Sequence, residues 1–344
     1  MVPKTDTGLV FQGGGALGAY ELGAARRLYR DGSFLPDLIA GVSIGAITAV
    51  LLARPAKGLN PLEALEKFWS LVTVSGWFLP RALQEYASVF GNRHFFMPRS
   101  DIFNFPSWTN IYDTEPLRQT LEQLVDIGAL ADCSATPQLL VSATDIEAGQ
   151  ITYFDSTERS LGLDHILASG SLPPSFAMTK IDTKLYWDGG LFDNTPLGAV
   201  IDRLNPASGN QRIIYVVNLF PNKAPVPVTM SQVFERMSNL QFANKTAEDI
   251  KLMERFNQVA NLLKALDALP PDHPIYSDPD FKRAFTEIKA QKYVSVPRII
   301  QITRPEQVDG YGASDFSRET IESRAAEGYK QTEKALETAL SGVR

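Results

Sequence analysis

A serine between two glycines is the first residue in this sequence that could do chemistry. The segment GVSIG, residues 41–45, matches the G-x-S-x-G pattern, in which a nucleophilic serine occupies a strained turn between a strand and a helix. Gly41 and Gly45 suit such a turn because a Cβ atom at either position would collide with the folded backbone. Apolar residues precede the motif and small residues follow it, as a buried strand and a helix would require. We therefore expect Ser43 to act as a nucleophile.

A glycine-rich segment near the N-terminus could hold an anion. Residues 12–18, QGGGALG, lie between an apolar run and a stretch with helical spacing. Glycine amides can approach an anion closely, and the start of a helix adds the positive end of its dipole. This arrangement suits an oxyanion hole in which the amides of Gly14 and Gly15 are the donors.

The same glycines allow a second interpretation. Gly13, Gly15 and Gly18 match the G-x-G-x-x-G fingerprint of dinucleotide-binding proteins, which would make the chain an oxidoreductase with a nicotinamide cofactor. That fold needs an acidic residue at the end of its second strand. Asp37 has roughly the right spacing but precedes the strand, and Ser43 lies where the acid should be. The fingerprint is therefore the weaker interpretation.

A nucleophilic serine needs a base, and histidine is the usual one. His273 lies downstream of Ser43, as in α/β-hydrolases, but that fold places several strands before the serine, and here only one is predicted. His94 and His165 have no partner motif, so we expect structural or exposed roles for them.

Asp188 is the other candidate base. It lies in the segment WDGGLFDNTP, residues 187–196, at the end of a predicted strand. Two glycines after an aspartate leave the carboxylate with little steric cover. A simple Asp-Gly turn would produce the same local sequence without any chemistry.

The elements that must position these residues follow from hydrophobic spacing. Strand, helix and strand within the first 55 residues predict a parallel sheet with helices packed on it. The predicted strands are 8–12, 38–42, 138–143, 150–154, 184–187, 212–218 and 298–303. The predicted helices are 16–30, 44–53, 62–74, 115–124, 196–204 and 317–340, and residues 229–269 form either one long helix or a helix pair.

Composition excludes several classes of protein. The 344 residues carry a net charge of −6, which leaves too few cations for a general nucleic-acid binder. Cys133 is the one cysteine, so no disulfide scaffold forms, and the three scattered histidines argue against structural zinc. No secretory signal is visible, and the longest apolar stretch, 38–53, is too short and polar to span a membrane. We therefore expect a cytoplasmic protein without a signal peptide or transmembrane helix.

Aromatic residues concentrate in one segment. Residues 77–108 hold nine aromatic side chains in 32 residues, whereas aromatic residues make up only 10% of the whole chain. The segment is either an insertion that packs into the core or an apolar cap. Such a cap would line a lipid-sized pocket or make peripheral contact with a membrane interface.

Four segments together carry a resemblance to a known family. They occur in this order: GGGALGAYELG, GVSIGA, ASGSLPPSF and DGGLFDNTP. Each is weak alone, but the set, which spans residues 13–196, resembles the patatin-like phospholipase family. The resemblance implies a three-layer α/β/α fold with a mainly parallel central sheet, plus a helical C-terminal insertion.

The resemblance also implies the site residues. Ser43 and Asp188 would form a catalytic dyad with no catalytic histidine. The glycines would fall into three groups: Gly13, Gly14 and Gly15 in the oxyanion hole, Gly41 and Gly45 in the nucleophile elbow, and Gly189 and Gly190 in the Asp-Gly-Gly motif.

The domain organisation follows from the same resemblance and from the proline-rich segment 221–228, because proline cannot continue a β-ladder. We expect a patatin-like catalytic core over 1–220, a helical insertion or lid over 221–295, and a returning strand with a closing helix over 296–344.

The function implied is that of a serine acyl hydrolase on lipid esters, of the phospholipase A or lipid esterase type. No cofactor and no metal are expected, since no carboxylate loop of the EF-hand type occurs. Leu17 replaces a basic residue common in the family, which weakens the case for a headgroup-phosphate contact from this loop and for phospholipids specifically. Two alternatives stay open. One is an esterase on other esters, such as intracellular polyhydroxyalkanoate, and the other is a non-catalytic lipid-binding module.

Overall fold

A mixed β-sheet forms the centre of the chain in a computed structural model, which describes residues 5–74, 91–101, 107–204, 211–290, 298–305 and 312–341. The strands of this sheet are β1 (Thr5–Phe11), β2 (Leu38–Gly41), β5 (Gln138–Asp145), β6 (Gln150–Asp155), β7 (Thr179–Ile181), β8 (Lys184–Asp188), β9 (Gln211–Asn218) and β10 (Arg298–Thr303). A separate antiparallel ribbon pairs β3 (Met97–Pro98) with β4 (Tyr112–Asp113).

The sheet is parallel on one side and antiparallel on the other. Its strand order is β10–β9–β1–β2–β5–β8–β7, with β6 also paired to β5. The five strands from β10 to β5 run parallel, while β6, β7 and β8 join through antiparallel pairs. Parallel neighbours need long crossover connections, which are helices here. The predicted α/β class with a mainly parallel central sheet is confirmed.

Helices cover both faces of the sheet. They are α1 (Ala19–Leu28), α2 (Ile44–Ala53), α3 (Pro61–Val72), α4 (Glu115–Leu124), α5 (Ile127–Ala131), α6 (Leu163–Ser169), α7 (Leu197–Arg203), α8 (Met230–Asp267), α9 (Pro279–Ala290) and α10 (Arg318–Ser341).

Alternate residues of β1 show the two faces. Leu9 and Phe11 pack with the helices of the larger core, whereas Val10 packs with α7 in the smaller one. The sheet is therefore buried on both sides, which explains why its central strands are continuous apolar runs in the sequence.

The strand register places three loops at one edge of the sheet. Phe11 lies opposite Gly41 across β1 and β2, so the glycine loop and the serine turn leave the sheet side by side. β8 pairs antiparallel with the last part of β5, and its final residue, Asp188, lies opposite Ala143. Side chains from three distant parts of the sequence therefore meet at this edge.

The predicted elements lack the 12-residue helix α9, the seven-residue α6 and several shorter elements. The helix predicted for 16–30 begins with a 3-10 turn, Gly15–Gly18, before α1. The two-residue strands β3 and β4, the three-residue β7 and the five-residue α5 carry too few residues to show a period. Within the described residues, no helix combines the length and apolar character needed to cross a membrane.

Candidate active site

Ser43 occupies a strained turn between β2 and α2. Its backbone has φ +56° and ψ −124°, a conformation that side-chain-bearing residues rarely adopt. A Cβ atom on Gly41 would lie 2.0 Å from the Gly45 carbonyl oxygen, and one on Gly45 would lie 2.5 Å from that of Phe11. The predicted elbow glycines are thus required by direct backbone contact.

Ser169, at the end of α6, holds this turn in place. The Ser43 amide donates to both the main-chain oxygen and the hydroxyl of Ser169, at 3.1 and 3.0 Å. The strained backbone is therefore fixed by a neighbour 126 positions away in sequence. No local pattern in the sequence indicates this role.

Asp188 lies beside Ser43 and is 2% exposed. Its carboxylate accepts hydrogen bonds from the Ser43 hydroxyl and, at 2.7 Å, from the Gly190 amide. The Asp188 main chain is held by Ser171, whose carbonyl accepts its amide at 3.0 Å, and by the hydroxyl of Thr144, which donates to its carbonyl at 2.8 Å. Burial raises the pKa of Asp188 to about 7, although the two hydrogen bonds to the carboxylate oppose the shift.

The two glycines after Asp188 sit against neighbouring chain. A Cβ atom on Gly189 would lie 2.6 Å from the Ser142 carbonyl oxygen, and one on Gly190 would lie 2.7 Å from Asn194 Oδ1. Both positions therefore need glycine for the loop to approach the sheet.

The glycine loop passes next to Ser43, with one difference from the predicted oxyanion hole. The Gly13 amide donates to the Asn194 carbonyl at 3.1 Å, and Asn194 Nδ2 donates to the Gly13 carbonyl at 3.0 Å. The Gly13 amide is thus already paired and is not available to an oxyanion. Gly14 and Gly15 line the cavity beside Ser43, and among the described residues nothing accepts from their amides.

An apolar cavity of about 280 Å³ opens over these residues. Ser43, Asp188 and Gly190 form part of its wall. Its apolar walls are formed by Ile44, Ile47, Phe95, Phe96, Tyr112, Leu117, Leu167, Leu172, Phe176, Phe220, Phe242, Ala313 and Phe316.

Part of the aromatic segment contributes to this wall. Phe95 and Phe96 are buried, pack edge to face with ring centroids 5.6 Å apart, and line the cavity. The Arg99 guanidinium lies over the Trp108 ring, with its Cζ 5.1 Å from the ring centre. The other aromatic residues of the segment, namely Trp77, Phe78, Tyr86, Phe90, Phe103 and Phe105, lie outside the described residues.

The remaining candidates from the sequence lie elsewhere. None of the three histidines lines the cavity. His165 is buried at the start of α6, where its Nδ1 accepts from the Gly162 amide, and His273 accepts from Ile275 in a 3-10 turn. Asp37 accepts from the Thr7 amide at the opposite end of β1, far from the glycine loop, which removes the support for a dinucleotide site.

The C-terminal part of the chain completes the cavity. Ser238 and Phe242 of α8 line it, as do Ala313, Ser314 and Phe316, which precede α10. The sequence offers no motif for these residues, because their place depends only on how two distant helices pack.

Two family models match the chain. One, described as patatin-like phospholipase, matches residues 9–201, more than half of the chain. The other, described as patatin phospholipase, matches residues 240–341. The chain therefore belongs to the patatin-like phospholipase family, which confirms the predicted resemblance and defines its class as a lipid ester hydrolase. No curated protein is significantly similar to the chain in sequence.

Solved structures with a similar fold share little sequence with the chain. VipD from Legionella pneumophila has a TM-score of 0.43 and 16% identity, over 97% of this chain and 67% of that one. Human GIVD cytosolic phospholipase A2 has a TM-score of 0.40 and 11% identity, over 99% of this chain and 59% of that one. The ExoU-SpcU complex of Pseudomonas aeruginosa has a TM-score of 0.30 and 17% identity, over 84% of this chain and 59% of that one. The chain thus spans 59% to 67% of these neighbours' lengths, and its assignment rests on the family models.

Proposed function

We propose that the protein is a serine acyl hydrolase in which a dyad of Ser43 and Asp188 cleaves the carboxylic esters of lipids, as a phospholipase A or lipid esterase does. The observation that carries the proposal is the placement of the Ser43 hydroxyl beside the buried Asp188 carboxylate, with which it interacts, in the wall of one apolar cavity. A nucleophile next to its base is the arrangement that acyl transfer requires.

In the first half-reaction, Ser43 Oγ attacks the ester carbonyl while Asp188 accepts the hydroxyl proton. The tetrahedral intermediate then collapses, and Asp188 returns the proton to the departing alcohol. In the second half-reaction, water attacks the acyl-enzyme, Asp188 accepts a proton from it, and Ser43 regains that proton as the fatty acid leaves.

The raised pKa of Asp188 supports this role. An ordinary aspartate is too weak a base at neutral pH to accept a serine proton effectively. A pKa of about 7 keeps Asp188 largely ionised at pH 8 and makes it a stronger base. Burial raises the pKa because no cation among the described residues pairs with the carboxylate, and the carboxylate is still ionised at pH 8 because the pH then lies above that pKa.

The negative charge on the carbonyl oxygen needs donors that are already in place. Gly14 and Gly15 line the cavity at the start of a 3-10 turn that leads into α1, and their amides have no acceptor among the described residues, so the helix dipole adds to two unpaired donors. We propose these two amides as the oxyanion hole. Gly13 instead ties the loop to Asn194.

The substrate we propose is a lipid ester whose acyl chain enters the apolar cavity. Aromatic rings and aliphatic side chains surround the space next to Ser43. Transferring an acyl chain from water to such a surface is favourable by about 0.8 kcal/mol for each buried methylene. Longer acyl chains should therefore bind more tightly until the cavity is full.

Hydrolysis of p-nitrophenyl esters of increasing acyl length tests the proposal in the wild type, Ser43→Ala and Asp188→Asn. We expect Ser43→Ala to lose at least about 1,000-fold in kcat and Asp188→Asn about 100- to 10,000-fold. The matched controls are Ser134→Ala and Asp182→Asn, which alter exposed residues away from the cavity and should keep full activity.

The outcomes separate the alternatives. Activity that survives Ser43→Ala would contradict the assignment of the nucleophile. Turnover of short esters alone would favour a non-lipid ester as substrate. Binding of lipid without turnover of any ester would favour a non-catalytic lipid-binding module.

A further inference from the structure

Gln12 connects its own segment of the chain to three others from a fully enclosed position. Its side chain is 1% exposed. Its Nε2 donates to the Thr195 hydroxyl at 2.9 Å and to the Phe242 carbonyl at 3.3 Å. Its Oε1 accepts from the amides of Leu219 and Phe220 at 2.7 and 3.2 Å. The amide group thus uses all four of its hydrogen-bonding positions.

Two of these segments belong to the active site. Gln12 directly precedes the glycine loop, and Thr195 directly follows Asn194, which binds both polar groups of the Gly13 backbone. The Gln12–Thr195 bond therefore lies where the oxyanion loop and the loop after Asp188 meet.

The third segment is the long helix α8. Phe242 lies on this helix, and one turn further on the Thr246 hydroxyl donates to Thr195 at 3.2 Å. Thr195 and Thr246 are both buried. Two buried hydrogen bonds thus fix α8 to the same point of the active-site loops, one from Gln12 and one to Thr195.

The side of α8 next to these bonds faces the cavity. Ser238 and Phe242 form part of its wall, and the Phe242 ring packs on that of Phe220 with centroids 5.1 Å apart. A shift of the helix would therefore move the wall against which a bound acyl chain packs.

From these contacts we propose that α8 is a fixed wall of the acyl-binding cavity, with Gln12 and Thr246 as the residues that position it against the oxyanion loop. The proposal rests on the proposed function, since it assigns a substrate-binding role in that site to a helix from the region 221–295. Because Gln12 touches the oxyanion loop and the helix, it serves both kcat and acyl-chain binding. Thr246 bonds Thr195 but not the segment of the oxyanion loop, and it serves acyl-chain binding alone.

The test compares two substitutions of Thr246 by their effects on long and short substrates. Thr246→Val keeps the shape but removes the hydroxyl, and Thr246→Ser keeps the hydroxyl. We expect Thr246→Val to raise KM for a p-nitrophenyl dodecanoate ester by about 5- to 10-fold, as loss of one buried hydrogen bond allows, with kcat within about twofold. KM for the butyrate ester should change little, and Thr246→Ser should behave as the wild type.

The matched control is Thr286→Val on α9, an exposed threonine whose hydroxyl bonds its own helix. A second variant approaches the contact from the other side. Gln12→Glu keeps an acceptor for Leu219 and Phe220 but, when ionised, has no donor for the Phe242 carbonyl. It should show the same split in KM between long and short esters, with a lower kcat for both.

The outcomes are distinguishable. If the wild type shows no hydrolysis that depends on Ser43, the proposed function itself fails. If that hydrolysis is present, and folded Thr246→Val and Gln12→Glu change long and short esters equally, α8 is not an acyl-binding wall. The same conclusion follows if Thr246→Ser fails to restore the wild-type KM. Where Thr246→Val does not fold, the KM split in Gln12→Glu decides.

Discussion

Two buried aspartates on the strands that flank β5 differ sharply in the groups that surround them. Asp188 ends β8, and Asp155 ends β6. Asp188 pairs opposite Ala143 and Asp155 opposite Leu140, and each side chain is 2% exposed. The Asp188 carboxylate receives hydrogen bonds from Ser43 and Gly190, and no cation pairs with it among the described residues.

Asp155 is surrounded by donors. Arg203 Nε donates to it at 2.7 Å, Gln138 Nε2 reaches both of its oxygens, and the Thr157 amide and hydroxyl both donate to Oδ1. Burial alone would raise the pKa of Asp155, but the bonds from Thr157, Gln138 and Arg203 outweigh it and lower the pKa.

Burial therefore does not decide what a carboxylate does in this protein. With many donors and a cation, Asp155 remains ionised and joins β5, β6 and α7. With few donors and no cation, Asp188 retains a high affinity for protons. That affinity is what a general base needs, and it makes the ionised form unfavourable in the folded state.

The largest expected effect comes from removing the carboxylate that we propose as the base. Asp188→Asn should lower kcat by about 100- to 10,000-fold, the usual contribution of a general base. At pH 8 the same variant should not lose stability, because the amide has no charge to bury. Steady-state kinetics and thermal melting at pH 8 measure both quantities. Strong destabilisation would show that Asp188 resembles Asp155 after all.

Asp155→Asn should have the opposite profile. It removes the charge that pairs with the partly exposed Arg203 and takes an acceptor from Gln138 and Thr157, so the free energy of unfolding should fall by about 1–3 kcal/mol. The kcat of the folded fraction should stay within about twofold, because Asp155 does not line the cavity. Urea unfolding with parallel activity measurements tests this, and a large loss of kcat without loss of stability would contradict the comparison.

The pH dependence of the wild type separates the two roles of Asp188. Because the base must be ionised, kcat/KM should fall about tenfold for each pH unit below about 7 and level off above it. The contribution of Asp188 to the free energy of unfolding changes with pH in the opposite direction to kcat/KM. Since its folded pKa is raised, that contribution is complete at pH values below the ordinary aspartate pKa and is lost as the pH rises through about 7. A pH–rate profile with melting curves at each pH checks both trends. A kcat/KM that is constant between pH 5 and 8 would exclude Asp188 as the titrating base.

The smallest effect should come from the support of the serine turn. Ser169→Ala removes one of two acceptors for the Ser43 amide, and the Ser169 carbonyl still accepts at 3.1 Å. We expect kcat to fall about two- to fivefold. Ser171→Ala is the matched control, because its hydroxyl bonds Leu167 and Thr179 instead. A loss above about 100-fold would mean that the Ser169 hydroxyl acts on the reacting atoms.

Much of the fold could be predicted because its elements are local and regular. β10 has the predicted bounds, and β2, β9, α2 and α4 differ from theirs by one residue or none. In each, apolar residues repeat over a stretch that ends at a turn or a cap. The division of the chain at residues 221 and 296 stays a prediction, while α8 itself lies against the core through Gln12 and Thr246.

The oxyanion loop shows the limit of such predictions. Three consecutive glycines look equivalent in the sequence, and all three line the cavity. The Gly13 amide is nevertheless paired with Asn194, whereas those of Gly14 and Gly15 have no acceptor among the described residues. The difference depends on a partner 181 positions away. A glycine pattern specifies which backbone shapes are allowed but not which amide remains unpaired.

The sequence by itself determined the family and the local shapes of the serine turn, the glycine loop and the Asp-Gly-Gly loop, because each depends on a few adjacent residues. Only the tertiary structure decided the chemistry of the site. The raised pKa of Asp188, the apolar cavity and the place of α8 within it all depend on burial and on contacts between distant segments. Burial and distant contacts arise when the chain packs, so no single segment of the sequence contains them.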